Sequence, residues 1–351
     1  MNEAEKINFA VVGAGFIGCR HVEVIQKNPD AELVAVCDLK GNLELGIGNL
    51  PAGRQGWDDA LPLFHSLEEM LKAELPIDVV CIATPNGLHA QHALAALNAG
   101  KHVLIEKPVA LSAKDAQEII DTAKRVDRKV FCVMQNRYSP PAAWLKQITA
   151  EGTLGKIFMV QINCYWNRDD RYYKKGGWKG TADLDGGTLY TQFSHFIDIM
   201  YWLFGDIKNI TARFNDFTHA NSTEFEDSGI VNFDFVNGGM GCINYSTAVW
   251  DTNLESSITV IAEKGTVKVG GQYMNAVEYC HVKDYSMPVL PEANPANNYG
   301  GYSGSAANHN LVYDHLIDLI VNGQIINTNV EEALKVTEII ENIYKLRGIT
   351  N

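Results

Sequence analysis

Short apolar runs alternate with amphipathic stretches over roughly the first 135 residues of the chain. Strands are predicted at Ile7–Val12, Leu33–Cys37, Asp78–Ala83, His102–Ile105 and Lys129–Val133, with helices at Ser66–Glu74, His89–Ala99 and Ala113–Val126. Such alternation predicts a parallel sheet wound with helices on both faces. From about residue 155 the texture becomes strand-like, at Phe158–Tyr165, Ile207–Phe217, Ser228–Val236, Gly241–Ala248, Ser256–Ala262 and Thr266–Val269. Val231, Phe233 and Phe235 alternate there with Asn232 and Asp234, giving that strand one apolar and one polar face. A helix is predicted near Gly187–Leu203, an irregular segment over 284–308, and two closing helices marked by Leu311–Ile320 and Val336–Tyr344. The expected architecture is α/β. Residues 1–135 form a doubly wound, Rossmann-type domain, and residues 136–351 a second α/β domain with a large, open, mainly antiparallel sheet, the last helix packing back on the first domain.

Composition narrows the function classes. The chain has 351 residues, more than one core usually serves, and carries 29 Lys and Arg against 42 Asp and Glu, a net charge of −13. That balance argues against nucleic acid as a partner. No apolar run approaches the ~20 residues that span a bilayer, and Met1–Lys6 lacks signal-peptide character, so a cytoplasmic protein is expected. Cys19, Cys37, Cys81, Cys132, Cys164, Cys242 and Cys280 are scattered without CxxC spacing and read as free thiols. No HxH or HExxH pattern points to a metal.

Ligands of doubly wound sheets bind beyond the carboxyl ends of the strands, which directs attention to Gly13–Gly18, Asp38, Thr84–Asn86, Glu106–Pro108 and Gln135–Arg137. The first of these reads Gly13-Ala14-Gly15-Phe16-Ile17-Gly18, between a strand and a helix, with Asp38 twenty residues past Gly18. Gly13 permits the tight turn, Gly15 lets backbone approach a pyrophosphate, and Gly18 lets helix and strand pack closely. Asp38 suits the ribose hydroxyls and would repel a 2′-phosphate, so NAD is preferred over NADP, with Lys40 pulling the other way. A dinucleotide is expected.

Lys107, just past the fourth strand, can donate a hydrogen bond to a substrate hydroxyl and oppose the charge of a developing alkoxide; the alternative is a solvated lysine. A cis Pro108 would fix the turn that carries it. In the helix near Gly187–Leu203, residues at 100° intervals place Leu189, Phe193, Phe196, Ile197, Met200 and Phe204 on one stripe, and Thr191, His195, Asp198 and Trp202 roughly opposite. His195 therefore reads as a proton acceptor or as a plain surface residue, and not as a core histidine. His21, among Ile17, Val24 and Ile25, reads as structural. The run Trp166–Lys179 mixes aromatic and basic residues that suit a phosphorylated or carboxylated sugar, or simply form a solvated loop.

With Thr84-Pro85-Asn86-Gly87-Leu88-His89 and Ala99-Gly100-Lys101-His102-Val103 ahead of Glu106-Lys107-Pro108, the chain resembles the Gfo/Idh/MocA oxidoreductases from Gly13 to the final helix. The resemblance implies Lys107 and His195 as the catalytic pair. It implies Thr84, Pro85, Asn86, His89 and Glu106, with Gln135, about the nicotinamide half of the cofactor. It also implies a homodimer or homotetramer built through the C-terminal sheet. Many relatives carry Asp four residues before that histidine and Gly two before it, where this chain has Thr191 and Phe193. That departs from inositol dehydrogenase-like members. Gln135–Pro141 and Trp166–Tyr173 look more like a branch that oxidises nucleotide-linked sugars, such as a UDP-N-acetylhexosaminuronate at C3, with Arg137, Arg168, Tyr172 and Thr191 contacting the substrate beside Lys107 and His195. Free aldoses, inositol-like polyols, or a non-catalytic dinucleotide-responsive role are the alternatives.

Overall fold

Six parallel strands make the first sheet, in the order β3-β2-β1-β4-β5-β6: β1 Ile7–Val12, β2 Ala31–Cys37, β3 Leu63–Phe64, β4 Val79–Ile82, β5 His102–Ile105 and β6 Val130–Cys132. The structure is a computed structural model and describes residues 6–39, 61–298, 302–321 and 329–347. Lys40 lies outside the described residues. Strands buried on both faces read as continuous apolar runs, and Ala10, Val11, Val36, Val80, Cys81, Ile82, Val103, Leu104 and Ile105 have no exposed surface. Helices Phe16–Lys27, Leu67–Lys72, His89–Asn98 and Ala113–Arg125 cross between the strands. Ser66 and Ser112 start two of them by accepting the N–H groups of Glu69 and Asp115. The chain order reverses between β1 and β4, the position at which such sheets hold their ligands.

Two compact units divide the chain: Met1–Val133 with His309–Leu334, and Met134–Asn308 with Lys335–Asn351. The penultimate helix, His309–Val321, belongs to the first unit, and the last, Val330–Tyr344, begins in the first unit and ends in the second. In the penultimate helix the Tyr313 ring lies 5.1 Å from that of Phe9, and Asp314 accepts a hydrogen bond from Asn28.

The second unit holds a seven-stranded sheet in the order β13-β12-β11-β7-β10-β9-β8. Its strands are β7 Ile157–Tyr165, β8 Ile207–Asn215, β9 Ser228–Phe235, β10 Met240–Ser246, β11 Glu255–Ala262, β12 Gly265–Gly270 and β13 Ala276–Val282. Only the β7–β10 pair is parallel. One sheet face is covered by the helix Ser194–Phe204 and the turn before it: Phe193 and Phe196 meet Trp166, Phe193 meets Tyr245, and Phe204 meets Phe235, at ring separations of 5.4–5.7 Å. In β13 the charged Glu278 and the polar His281 interrupt the apolar Val277, Tyr279, Cys280 and Val282, which weakens its signal in the sequence. The helix Pro140–Ala150 was also not anticipated. Its two leading prolines occupy the first turn, where a missing N–H costs nothing. Within 284–308, Ala296–Asn298 and Ser303–Ala306 pair as a short antiparallel ribbon.

Candidate active site

In the first unit, the turn after β1 leaves no room for side chains. A Cβ on Gly13 would lie 2.7 Å from the Ala83 carbonyl oxygen, and Gly13 has φ +92°, a conformation that favours glycine; a Cβ on Gly18 would lie 1.7 Å from the Gly13 oxygen. The turn from β1 and the end of β4 thus press together, as a dinucleotide fold requires. Over Gly15, by contrast, nothing lies within 4 Å of a would-be Cβ, and Gly15 starts the helix Phe16–Lys27 with no side chain capping it. The N-terminus of a helix entered through such a glycine turn suits phosphate oxygens, and Phe16 and Ile17 stand in its first turn. Asp38 follows β2, and its Oδ2 accepts the Ala14 N–H at 2.7 Å, tying the acidic residue to the glycine turn.

Three more expected residues follow β4. Thr84 shares a 3.0 Å hydrogen bond with His92 Nδ1, Asn86 is buried, and Pro85 precedes the short turn Asn86–Leu88. His89 does not present its ring to a ligand. It is buried, with Nδ1 at 2.7 Å from the Pro108 carbonyl and Nε2 at 2.9 Å from that of Thr84, so it ties two turns together. Burial holds its pKa below the ordinary value despite those carbonyls.

Glu106 is likewise an interior group. Its Oε1 meets His21 Nε2 at 3.0 Å and His309 Nε2 at 3.2 Å, while its Oε2 accepts the backbone N–H of Lys107. The two histidines reach it from the helices Phe16–Lys27 and His309–Val321. They keep the Glu106 carboxyl well below its usual range against the penalty of burial. Lys107 is half-buried, and its peptide bond to Pro108 is cis.

In the second unit the helix with His195 differs from its projection. Leu189–Phe193 forms a wider π-type turn before Ser194–Phe204, which breaks the 100° spacing. His195 and Asp198 are 4% and 1% exposed, with Thr191 and Trp202 half-buried on the same stripe, so the surface reading of His195 is overturned. The cover comes from residues 135–150. Asp198 receives Arg137 through both Nε, at 2.9 Å, and Nη2, and Lys146 donates to the Trp202 carbonyl, with both cations over the Trp202 ring. Gln135 is buried, and its carbonyl accepts from Asn308.

Arg168 was expected in the substrate site, but it is 2% exposed and its donors go to protein acceptors: Gln192, the Asn167 and Ser303 carbonyls, and Asn253. Its guanidinium also lies over Trp166, Tyr172 and Tyr302. It ties together the residues around it and has its donors on protein acceptors. Tyr172 is buried in the same aromatic cluster, with Tyr173 and Phe225. Thr191 donates to both the backbone and the carboxylate of Asp185, whose other oxygen accepts the Gly180 N–H at 2.8 Å. Burial pushes the Asp185 carboxyl up to about 6. An acid is therefore present at Thr191, supplied from six residues upstream instead of from that position itself. Asp185, Asp198, Gln192 and Tyr302 also belong to this network; Asp198 meets Arg137, and Gln192 and Tyr302 meet Arg168, pairings too distant in sequence for a local pattern to reveal.

Family models match both halves of the chain: an oxidoreductase family, NAD-binding Rossmann fold, over residues 7–134, and a GFO/IDH/MocA C-terminal domain over 143–268. The chain belongs to the Gfo/Idh/MocA oxidoreductases. Its fold superimposes on the WlbA dehydrogenase of Bordetella pertussis, solved with NADH and UDP-GlcNAcA, with a TM-score of 0.82 and 31% identity, covering 97% of this chain and 96% of that one. A D-glucoside 3-dehydrogenase of Escherichia coli is 27% identical over 69% of this chain and 71% of its own length. An inositol 2-dehydrogenase/D-chiro-inositol 3-dehydrogenase of Lactiplantibacillus plantarum is 28% identical over 77% and 73%. The protein is an NAD-dependent oxidoreductase of the sugar and polyol dehydrogenase class. The open cradle over Gly15 and the acidic end of β2 fit that coenzyme.

Proposed function

We propose that the enzyme oxidises a secondary hydroxyl of a nucleotide-linked sugar, foremost a UDP-N-acetylhexosaminuronate at C3. The observation that carries this reading is the likeness, over nearly the whole chain, to a dehydrogenase whose structure contains UDP-GlcNAcA. The aromatic and basic residues from Trp166 to Lys179 support it.

In this reading Lys107 donates a hydrogen bond to the reacting hydroxyl oxygen and opposes the negative charge that grows on it. His195 accepts the hydroxyl proton as the carbon–hydrogen bond breaks. NAD, held by the glycine turn and Asp38, would supply the hydride acceptor, so that the alcohol becomes a ketone with release of the hydroxyl proton. Glu106 holds the backbone N–H of Lys107, and Asp38 with the glycine turn holds the dinucleotide. Arg137, paired to Asp198, shapes the surroundings of His195. The protein works in the cytoplasm as a homo-oligomer. Its supporting surface is the uncovered sheet face, where exposed Met240, Met159 and Ile261 stand side by side on β10, β7 and β11.

The test is a panel of nucleotide sugars, free aldoses and inositols offered with NAD, read by absorbance of the reduced coenzyme. Turnover of UDP-GlcNAcA well above that of neutral sugars supports the proposal. Preference for a free aldose or an inositol replaces it with the polyol reading that the Escherichia coli and Lactiplantibacillus plantarum relatives favour.

A further inference from the structure

Lys179 ends the aromatic–basic run in the second unit, and its ammonium is held in an unusual setting. Nζ lies 3.8 Å from the centre of the Tyr172 ring, 5.2 Å from that of Tyr302, and 3.1 Å from the Tyr302 hydroxyl, to which it donates. The Arg168 guanidinium sits over the same two rings at 5.2 and 5.1 Å. Two cations thus share one aromatic pair. Among the described residues no carboxylate forms an ion pair with Lys179. Asp185 acts on it only from farther off, and that carboxylate is already engaged with Thr191 and the Gly180 N–H. Burial and the nearby Arg168 charge pull the Lys179 amine down to about 8.

A cation–π contact is worth ~0.5–2 kcal/mol, which does not by itself offset enclosing a second positive charge beside the first. The missing component is an anion. Arg168 has spent its donors on protein acceptors, whereas the ammonium of Lys179 has three N–H bonds and places one on Tyr302. One ammonium with two donors left matches a single carboxylate; diphosphates more often recruit helix N-termini or several arginines. The position also fits: Gly180, next to Lys179, donates its N–H to Asp185, and Asp185 accepts the hydroxyl of Thr191, four residues before His195.

We infer that Lys179, aimed by Tyr172 and Tyr302, is the subsite for a carboxylate carried by the substrate. This rests on the nucleotide-sugar reading above and adds what selects a uronate over a neutral sugar. The experiment compares UDP-GlcNAcA, UDP-GlcNAc and UDP binding to the full-length, NADH-loaded protein by calorimetry, in wild type, Lys179→Met, Lys179→Arg and Tyr302→Phe. A charged hydrogen bond of the usual strength predicts that Lys179→Met weakens UDP-GlcNAcA by ~10–100-fold and the other two by less than about threefold. Lys179→Arg keeps most of the preference, and Tyr302→Phe lowers it by less than Lys179→Met does. Equal weakening of all three ligands, which would assign Lys179 to the diphosphate or to folding, overturns the inference, as does an unchanged preference. If Lys179→Met does not fold, Tyr302→Phe carries the test, and an unaltered preference in it overturns the inference. If wild type binds none of the three, the nucleotide-sugar reading fails instead. Free D-glucuronate against D-glucose then reads the same subsite: a preference lost in Lys179→Met supports it, and no preference overturns it.

Discussion

Nε2 of His21 lies 3.0 Å from Oε1 of Glu106, and both side chains are buried. Burial alone would lower the imidazole's pKa, but contacts with Cys81 and Glu106 outweigh it and raise His21 to about 9. A folded-state pKa above the unfolded value of 6.5 means that the folded protein keeps a proton the unfolded chain releases. The stabilisation is therefore fully present below pH 6.5 and lost as pH rises through about 9, by on the order of 3 kcal/mol. Denaturant titrations between these limits, comparing wild type with His21→Gln, should show the wild type losing its advantage as pH rises. A difference that stays constant with pH would remove the charged pair from the account.

Replacing Lys107 or His195 by alanine should each lower turnover by ~10²–10⁴-fold while leaving NAD affinity within a few-fold of wild type. The two measurements separate chemistry from coenzyme binding. Wild-type-like turnover in either variant would sink the role given to that residue.

Arg137 and Asp198 form a buried, two-point ion pair. Removing the arginine strands a carboxylate that is 1% exposed, so Arg137→Ala should cost about 3–5 kcal/mol in equilibrium unfolding. Restoring neutrality with the double variant Arg137→Met/Asp198→Leu should recover most of that loss. If the single and double variants unfold alike, the pair is not coupled.

Asp38 both holds the glycine turn through Ala14 and stands where a ribose hydroxyl is expected. Asp38→Ser should weaken NAD by about tenfold, since a charged hydrogen bond is lost, and narrow the preference over NADP. Fluorescence titration with both reduced coenzymes checks this; an unchanged ratio would mean that discrimination lies elsewhere.

What could be read from the sequence depended on whether the signal was local. β1 and β5 fall on the anticipated residues because buried parallel strands are continuous apolar runs bounded by turns. The glycine turn was equally legible, since its steric demands fall on neighbouring positions. The burial of His195 and Asp198 was not, because a π-type turn shifts the helical phase and the covering residues come from 135–150. Arg168 was misjudged for a related reason. In sequence it belongs to a basic, glycine-containing run, and only the fold brings Gln192, Asn253 and Ser303 to its donors. β13 was less legible because Glu278 and His281 interrupt its apolar residues.

Tyr344 accepts the Leu189 N–H at 2.8 Å and donates to Glu226 at 2.9 Å, and Arg347 pairs with the same carboxylate. Residues from the far end of the chain thereby anchor the first residue of the turn that leads into the histidine helix. Recombinant fragments cut at residue 308 or 334 would each leave one unit short of a segment that folds into it. Dissecting this enzyme into separately expressed halves therefore requires circular rearrangement of the gene, because a simple truncation series would discard the strap that steadies the helix Ser194–Phe204.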